Sequence, residues 1–141
     1  MPRQLKVLTL LLGILMFMFG FLKFFHPFDG WFNIQVQQSH LPHAAVLAGK
    51  FGEMLTGGLF LLPWLRKQLA APTRNLLFLT ASVFLVVQMV VAIYVHLQPQ
   101  VPASVLPLGI KPPVIPGLTL FLGLLTAFYA GRGLRADKAS V

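Results

Sequence analysis

Four runs of about 20 mostly apolar residues constrain this chain more than any other feature, because about that length of helix crosses about 30 Å of hydrocarbon. The first, VLTLLLGILMFMFGFLKFF from Val7 to Phe25, has Lys23 as its only charge. The second, Ala44 to Leu65, is interrupted by Lys50 and Glu53 and carries Pro63 near its end. The third, NLLFLTASVFLVVQMVVAIYVHL from Asn75 to Leu97, has no charged residue if His96 is neutral, and the fourth runs from about Val114 to Gly131. The predicted fold class is therefore an all-α membrane protein, a bundle of four transmembrane helices forming one domain over residues 1–141.

Composition supports an apolar solvent. Hydrophobic residues make up 57% of the chain and charged residues 10%, against roughly 25% charged in soluble domains. So few charges cannot cover a core in water, and membrane lipid is the expected partner. The formal charge of +8 does not point to nucleic acid, because the basic residues are scattered between apolar spans rather than gathered beside stacking aromatics. The absence of cysteine removes disulfides, thiolate metal sites and dithiol redox chemistry from what the chain can do by itself.

Basic residues set the expected orientation. Arg3 and Lys6 precede the first span, Arg66, Lys67 and Arg74 fill the turn between the second and third, and Arg132, Arg135 and Lys138 follow the fourth. The other two connections, residues 26–43 and 98–113, contain only Lys111. Both termini are predicted to be cytoplasmic. The N-terminal MPRQLK before an apolar run resembles a signal peptide, but no small-x-small cleavage site follows, so the first span is expected to be retained.

The first outer connection mixes Phe28, Trp31, Phe32, Ile34 and Val36 with Asn33 and glutamines. Two forms suit it, a short segment lying in the membrane interface and an irregular loop with aromatic anchors. The second outer connection, QPQVPASVLPLGIKPPVIPG, has six prolines and should form a fixed, extended cap rather than a continuous helix.

Each span carries a seam of small or polar residues at helical spacing. These are Thr9, Gly13, Met16, Gly20 and Lys23 on the first, then Gly49, Glu53, Gly57 and Phe60 on the second. Gln88, Ala92 and His96 align on the third, and Thr119, Gly123, Thr126 and Ala130 on the fourth. Polar groups facing hydrocarbon are costly, so the seams should point inward.

Glu53 then becomes the residue to explain. It lies about nine residues into its span, roughly 13 Å deep at 1.5 Å rise per residue, where an ionised carboxylate is expensive without a partner. Lys50, one turn away, and Lys23, from the first span, are the candidate partners in a structural ion pair. Lys23, Glu53, Gln88 and His96 together form a candidate ligand-binding set, while no catalytic residue is assigned. A register-fixing ion pair without turnover and a ligand or proton site both remain open at Lys23 and Glu53. For His96, a boundary residue bonded to a carbonyl is the simpler alternative. His26, His40 and His43 are spaced by 14 and 3, which matches no metal signature, so no metal site is expected.

The residues FGFLKFFHP at the end of the first span, LP in the outer segment, GKFGEMLTGGLFLLP in the second span and a histidine at the end of the third resemble the DoxX-like family of small four-helix membrane proteins. The resemblance covers most of the chain, and its specificity lies in Gly20 with Lys23, Glu53 with the glycines after it, and His96. It implies a multi-pass protein of the bacterial inner membrane, in a family linked to quinone-related oxidoreductase systems, thiosulfate oxidation among them. Three functional classes follow. The first is a quinone-interacting subunit or accessory of an oxidoreductase, with Glu53 or His96 carrying protons, no covalently bound cofactor, and a redox enzyme subunit or a second copy as partner. The second is a carrier for a lipid-like molecule, and the third a non-catalytic scaffold of a larger complex.

Orientation is testable because the chain lacks cysteine. Single cysteines at Gln4, Gln68 and Ala139 are expected to resist an impermeant thiol reagent in intact cells, and cysteines at Gln37 and Ser104 to react. Labelling at both Gln68 and Gln37 would exclude the four-span topology.

Overall fold

Backbone polar groups in hydrocarbon have to be bonded within their own segment, and the apolar runs accordingly become helices. The computed structural model describes residues 2–141. It contains α1 (Arg3–Leu22), α2 (Phe28–Gln38), α3 (Ala44–Leu65), α4 (Ala71–Leu97) and α5 (Val114–Ala139). Four of these, all but α2, are long and apolar enough to cross a membrane. The fold is an all-α, multi-pass membrane bundle.

Helix ends differ from the apolar boundaries where local chemistry intervenes. α1 stops at Leu22, with Lys23 as its C-cap, and the chain turns through Phe24 and Phe25 by i→i−3 bonds to Phe21 and Leu22. Pro27 has no N–H and disfavours helix at the residue before it, so the apolar run outlasts the helix. α4 begins at Ala71 rather than Asn75, with Pro72 in the first turn, where its missing N–H costs nothing. α5 continues past the apolar run to Ala139, and its last turns are held to α4 by Asn75 Nδ2 donating to Asp137 Oδ2 at 3.0 Å.

Neighbouring helices pack as α1 on α3, α3 on α4 and α4 on α5. Their core gathers Leu12 and Met16 from α1, Phe60 from α3, Phe78, Ala81, Leu85 and Met89 from α4, and Ala130 from α5. Outward-facing residues are large and apolar: Leu11, Phe51, Val87 and Phe121 are all more than half exposed. In water such a surface would be a liability, whereas in lipid it is the matching solvent contact.

The α1/α3 contact is made close by glycine on both helices. A Cβ on Gly20 would stand 2.7 Å from Met54 N and 2.8 Å from Lys50 O, and one on Gly57 would collide with the Phe17 backbone. At the far end of the same pair, Trp64 Nε1 donates to Thr9 Oγ1 at 3.2 Å. Four buried hydroxyls of the spans are spent within their own helices: Thr56, Ser82, Thr119 and Thr126 each donate to the carbonyl four residues back. Such i→i−4 bonds satisfy the hydroxyl without tying helices together, so close packing carries the association.

The two long connections, residues 23–43 and 98–113, lie at the end of the bundle opposite the termini. The first contains α2, an 11-residue helix whose Phe28, Trp31 and Ile34 are exposed and whose Val36 is buried. The segment is thus a helix and not an irregular loop. The proline-rich connection forms two short 3₁₀ turns, Ala103–Val105 and Pro107–Gly109. Lys111 fixes it by donating to Gln98 O at 2.5 Å and Val101 O at 2.6 Å. Val95, Val101, Val105 and Leu106 form a small core beneath it, with Leu41 packed alongside. Gln35 Nε2 donates to Val105 O at 2.5 Å, joining the two connections.

Gly57→Ala should lower detergent stability by about 1–3 kcal/mol through overpacking at the α1/α3 contact. Gly58, the next residue, has no atom within 4 Å of the position its Cβ would take, so Gly58→Ala should be neutral or slightly stabilising. Thermal unfolding followed by circular dichroism compares the two.

Candidate functional site

Small residues and a helix end leave space beneath α2. Between α1, α3, α4 and the start of α5 lies a cavity of about 440 Å³, within the range of small-molecule sites. α2 and the proline-rich connection cover it, contributing Phe32, Gln35, Val36 and Pro107. Most of its wall is apolar, from residues such as Leu15, Phe19, Ala45, Met89 and Ile115. Its polar side chains include Lys23, Glu53, Gln88 and His96, so the cavity brings the four sequence-derived site residues together.

Lys23 leaves the end of α1 and reaches Glu53 in the middle of α3, with Nζ 2.6 Å from Oε1. Both side chains are largely withdrawn from solvent, at 17% and 14% exposure. The ammonium also stands over the Phe32 ring, 4.2 Å from its centroid. An ammonium gains from the negative face of an aromatic ring when desolvated, so α2 helps hold the charge pair. Lys50, the other candidate partner, is not on Glu53 but over the Phe24 ring at 5.1 Å. An i−3 lysine on the same helix can swing outward to an aromatic face, while Lys23 enters from the neighbouring helix across the close contact at Gly20.

Gln88 Nε2 donates to Thr56 Oγ1 at 3.0 Å, and Thr56 Oγ1 donates in turn to Gly52 O at 2.8 Å. Glu53 Oε2 and Gln88 Oε1 are buried with no hydrogen-bond partner. Native proteins rarely leave buried acceptors without a partner. His96, 5% exposed, places Nδ1 2.9 Å from Ala92 O. A carbonyl only accepts, so Nδ1 carries a proton and donates it to Ala92 O.

Phe32 and Gln35 belong to the site and were not among the residues the sequence singled out for it. The available signal was the helical spacing of Phe32, Gln35 and Val36, which only matters once the segment is known to be a helix folded over the bundle. His26, His40 and His43 are exposed. Among the described residues no three His, Cys, Asp or Glu side chains come together as a metal-binding group. Comparisons with protein-family models, curated proteins and solved structures find no match to this chain.

Breaking the pair from one side leaves a buried charge alone, which costs about 3–5 kcal/mol. Lys23→Ala should therefore destabilise the protein by that order, Glu53→Gln by less, and the double variant by less than the sum. Lys50→Ala should cost under about 1 kcal/mol, as for a peripheral charge. A double-mutant cycle by thermal unfolding in detergent measures all four, and an unaltered melting temperature for Lys23→Ala would contradict the pairing.

Proposed function

We propose that this membrane protein binds an amphiphilic small molecule of the quinone class beneath α2, as a DoxX-like accessory or subunit of an oxidoreductase system in the bacterial inner membrane. One observation carries the reading: a largely apolar cavity with one polar cluster, Lys23, Glu53, Gln88 and His96. A scaffold with no ligand gains nothing from an unfilled cavity, because close packing is what holds membrane helices together. With cytoplasmic termini, the site lies in the outer half of the membrane.

The walls suit the apolar body of such a ligand and the polar cluster its head. Val87 and Val91 belong to the cavity wall and are also exposed on the lipid-facing surface. A ligand dissolved in the bilayer can thus arrive laterally without crossing water. At the head, Lys23 and Glu53 supply a fixed charge pair, and the His96 ring is oriented by its bond to Ala92 O. These residues bind, orient and exchange protons with the head group, and a redox enzyme partner would supply or take the electrons. The same apolar walls also favour a carrier for a lipid-like molecule as the second reading.

Mass spectrometry of the organic extract of protein purified in native lipid tests the class directly. A quinone present near stoichiometry is expected, whereas a co-extracted lipid of another class would favour the carrier. A short-chain benzoquinone should bind the wild type at micromolar concentration, and Glu53→Gln should weaken it about tenfold, the loss of one charge-assisted contact. Absence of both extracted quinone and analogue binding would overturn the proposal.

A further inference from the structure

Both ends of α2 are tied to places where the membrane spans stop. It begins at Phe28, shortly after α1 ends at Leu22. Just past its last turn, Ser39 O accepts from Tyr94 OH, within one turn of the α4 terminus at Leu97.

Around its axis the helix divides into three flanks, because residues three or four apart share a face. Phe32, Gln35 and Val36 line the cavity. Phe28, Trp31 and Ile34, all exposed, form a bulky apolar flank on one side. Asp29, Asn33 and Gln37 form a polar flank on the other, half-buried at Asp29 and Asn33 and exposed at Gln37. A helix that only covers a cavity in water needs one apolar face, the one turned inward. α2 has a second, and it continues the lipid-facing surface of α1. There the rings of Phe17, Phe21 and Phe25 follow one another at centroid distances of 6.3 and 5.0 Å. The next exposed aromatics along the chain are Phe28 and Trp31, in edge contact at 5.4 Å.

We infer that α2 lies along the membrane interface at this end of the bundle and takes phospholipid as the partner of its free apolar flank. Phe28, Trp31 and Ile34 enter the upper acyl region of the leaflet, while Asp29, Asn33 and Gln37 face headgroups and water. The opposite roll is excluded by Asp29, because a carboxylate turned to hydrocarbon is costly. Tryptophan suits this depth, where its ring meets hydrocarbon and its N–H meets polar groups. The cover of the cavity is then held twice, by the bonds of Gln35 and Tyr94 within the protein and by lipid along the opposite edge. This inference does not depend on what the cavity binds.

Two single cysteines in this cysteine-free chain test it, one at Ile34 and one at Gln37. Both positions are exposed in the fold, so a difference in their reactivity reports the surroundings rather than burial in the protein. In lipid vesicles with this face outward, Ile34→Cys should react with a charged maleimide at least about tenfold more slowly than Gln37→Cys, since a charged reagent does not follow into hydrocarbon. In denaturing detergent the two should react alike. Trp31 supplies an independent depth reading once Trp64→Phe removes the second tryptophan. Its emission should be quenched more by phosphatidylcholine brominated near the headgroup end of the acyl chains than by the lipid brominated near the chain ends, and little by aqueous iodide. The cysteine pair needs no change at Trp64, whose indole is bonded to Thr9. Equal maleimide rates in vesicles, or quenching by iodide without quenching by brominated lipid, would overturn the inference. A disulfide between the Ile34→Cys residues of two copies would overturn it in favour of a second copy on this flank.

Discussion

The bundle is organised around one carboxylate that has no water to turn to. Glu53 sits in the middle of α3, and the cost of an isolated ion in a lipid-embedded interior exceeds what any single packing contact returns. Lys23 neutralises it at 2.6 Å, but that geometry depends on how near α1 can come to α3. Gly20 settles the separation: its absent Cβ leaves room for Lys50 O and Met54 N, which flank Glu53 on α3. Three residues later α1 ends and Lys23 turns across. A side chain at Gly20 would push the helices apart at the level where the two charges have to meet.

The same interaction recruits the two long connections. The second face of the Lys23 ammonium is covered by Phe32 of α2, and α2 is joined through Gln35 to Val105 of the proline-rich connection. Tyr94 OH donates to Ser39 O at 3.1 Å, tying the end of that segment to α4. Lys111, in the second of these connections, is spent on backbone carbonyls rather than on solvent. The roof of the cavity is thus built from polar bonds between loops, whereas the transmembrane core beneath is built from shape. Roof and floor are held by different physics, and the cavity lies where they meet.

That division also explains why the site keeps volume. Further toward the termini, Leu12, Met16, Phe60, Phe78 and Leu85 fill the space between helices. Near α2 the corresponding positions are Ala45, Ala48, Gly49 and Ala92, together with side chains that cannot pack as hydrocarbon. Small residues around a polar cluster leave volume that hydrocarbon side chains do not fill, and the cavity stays open there.

The spans, the inward seams and the need of Glu53 for a cation are local properties, carried by hydropathy and helical period, and the sequence by itself determined them. Gly20, Gly57, Gln88 and His96 stand on seams that can be written down from residue spacing alone. The choice of Lys23 over Lys50 could not be made that way, because both lysines lie within reach of Glu53 in sequence terms and only the interhelical distance separates them. Nor could the spacing of Phe32 and Gln35 reveal a roof, since whether the aromatic connection is a helix lying over the bundle depends on contacts with α3 and with the proline-rich turns, far away along the chain. Ends of helices followed the same division: Pro27 shortened α1 for a local reason, while α5 runs on to Ala139 with its last turns bonded to Asn75 of α4. Period and polarity act along one helix and are legible in one dimension, whereas partner, roof and cavity are decided by how closely glycine lets separate helices approach.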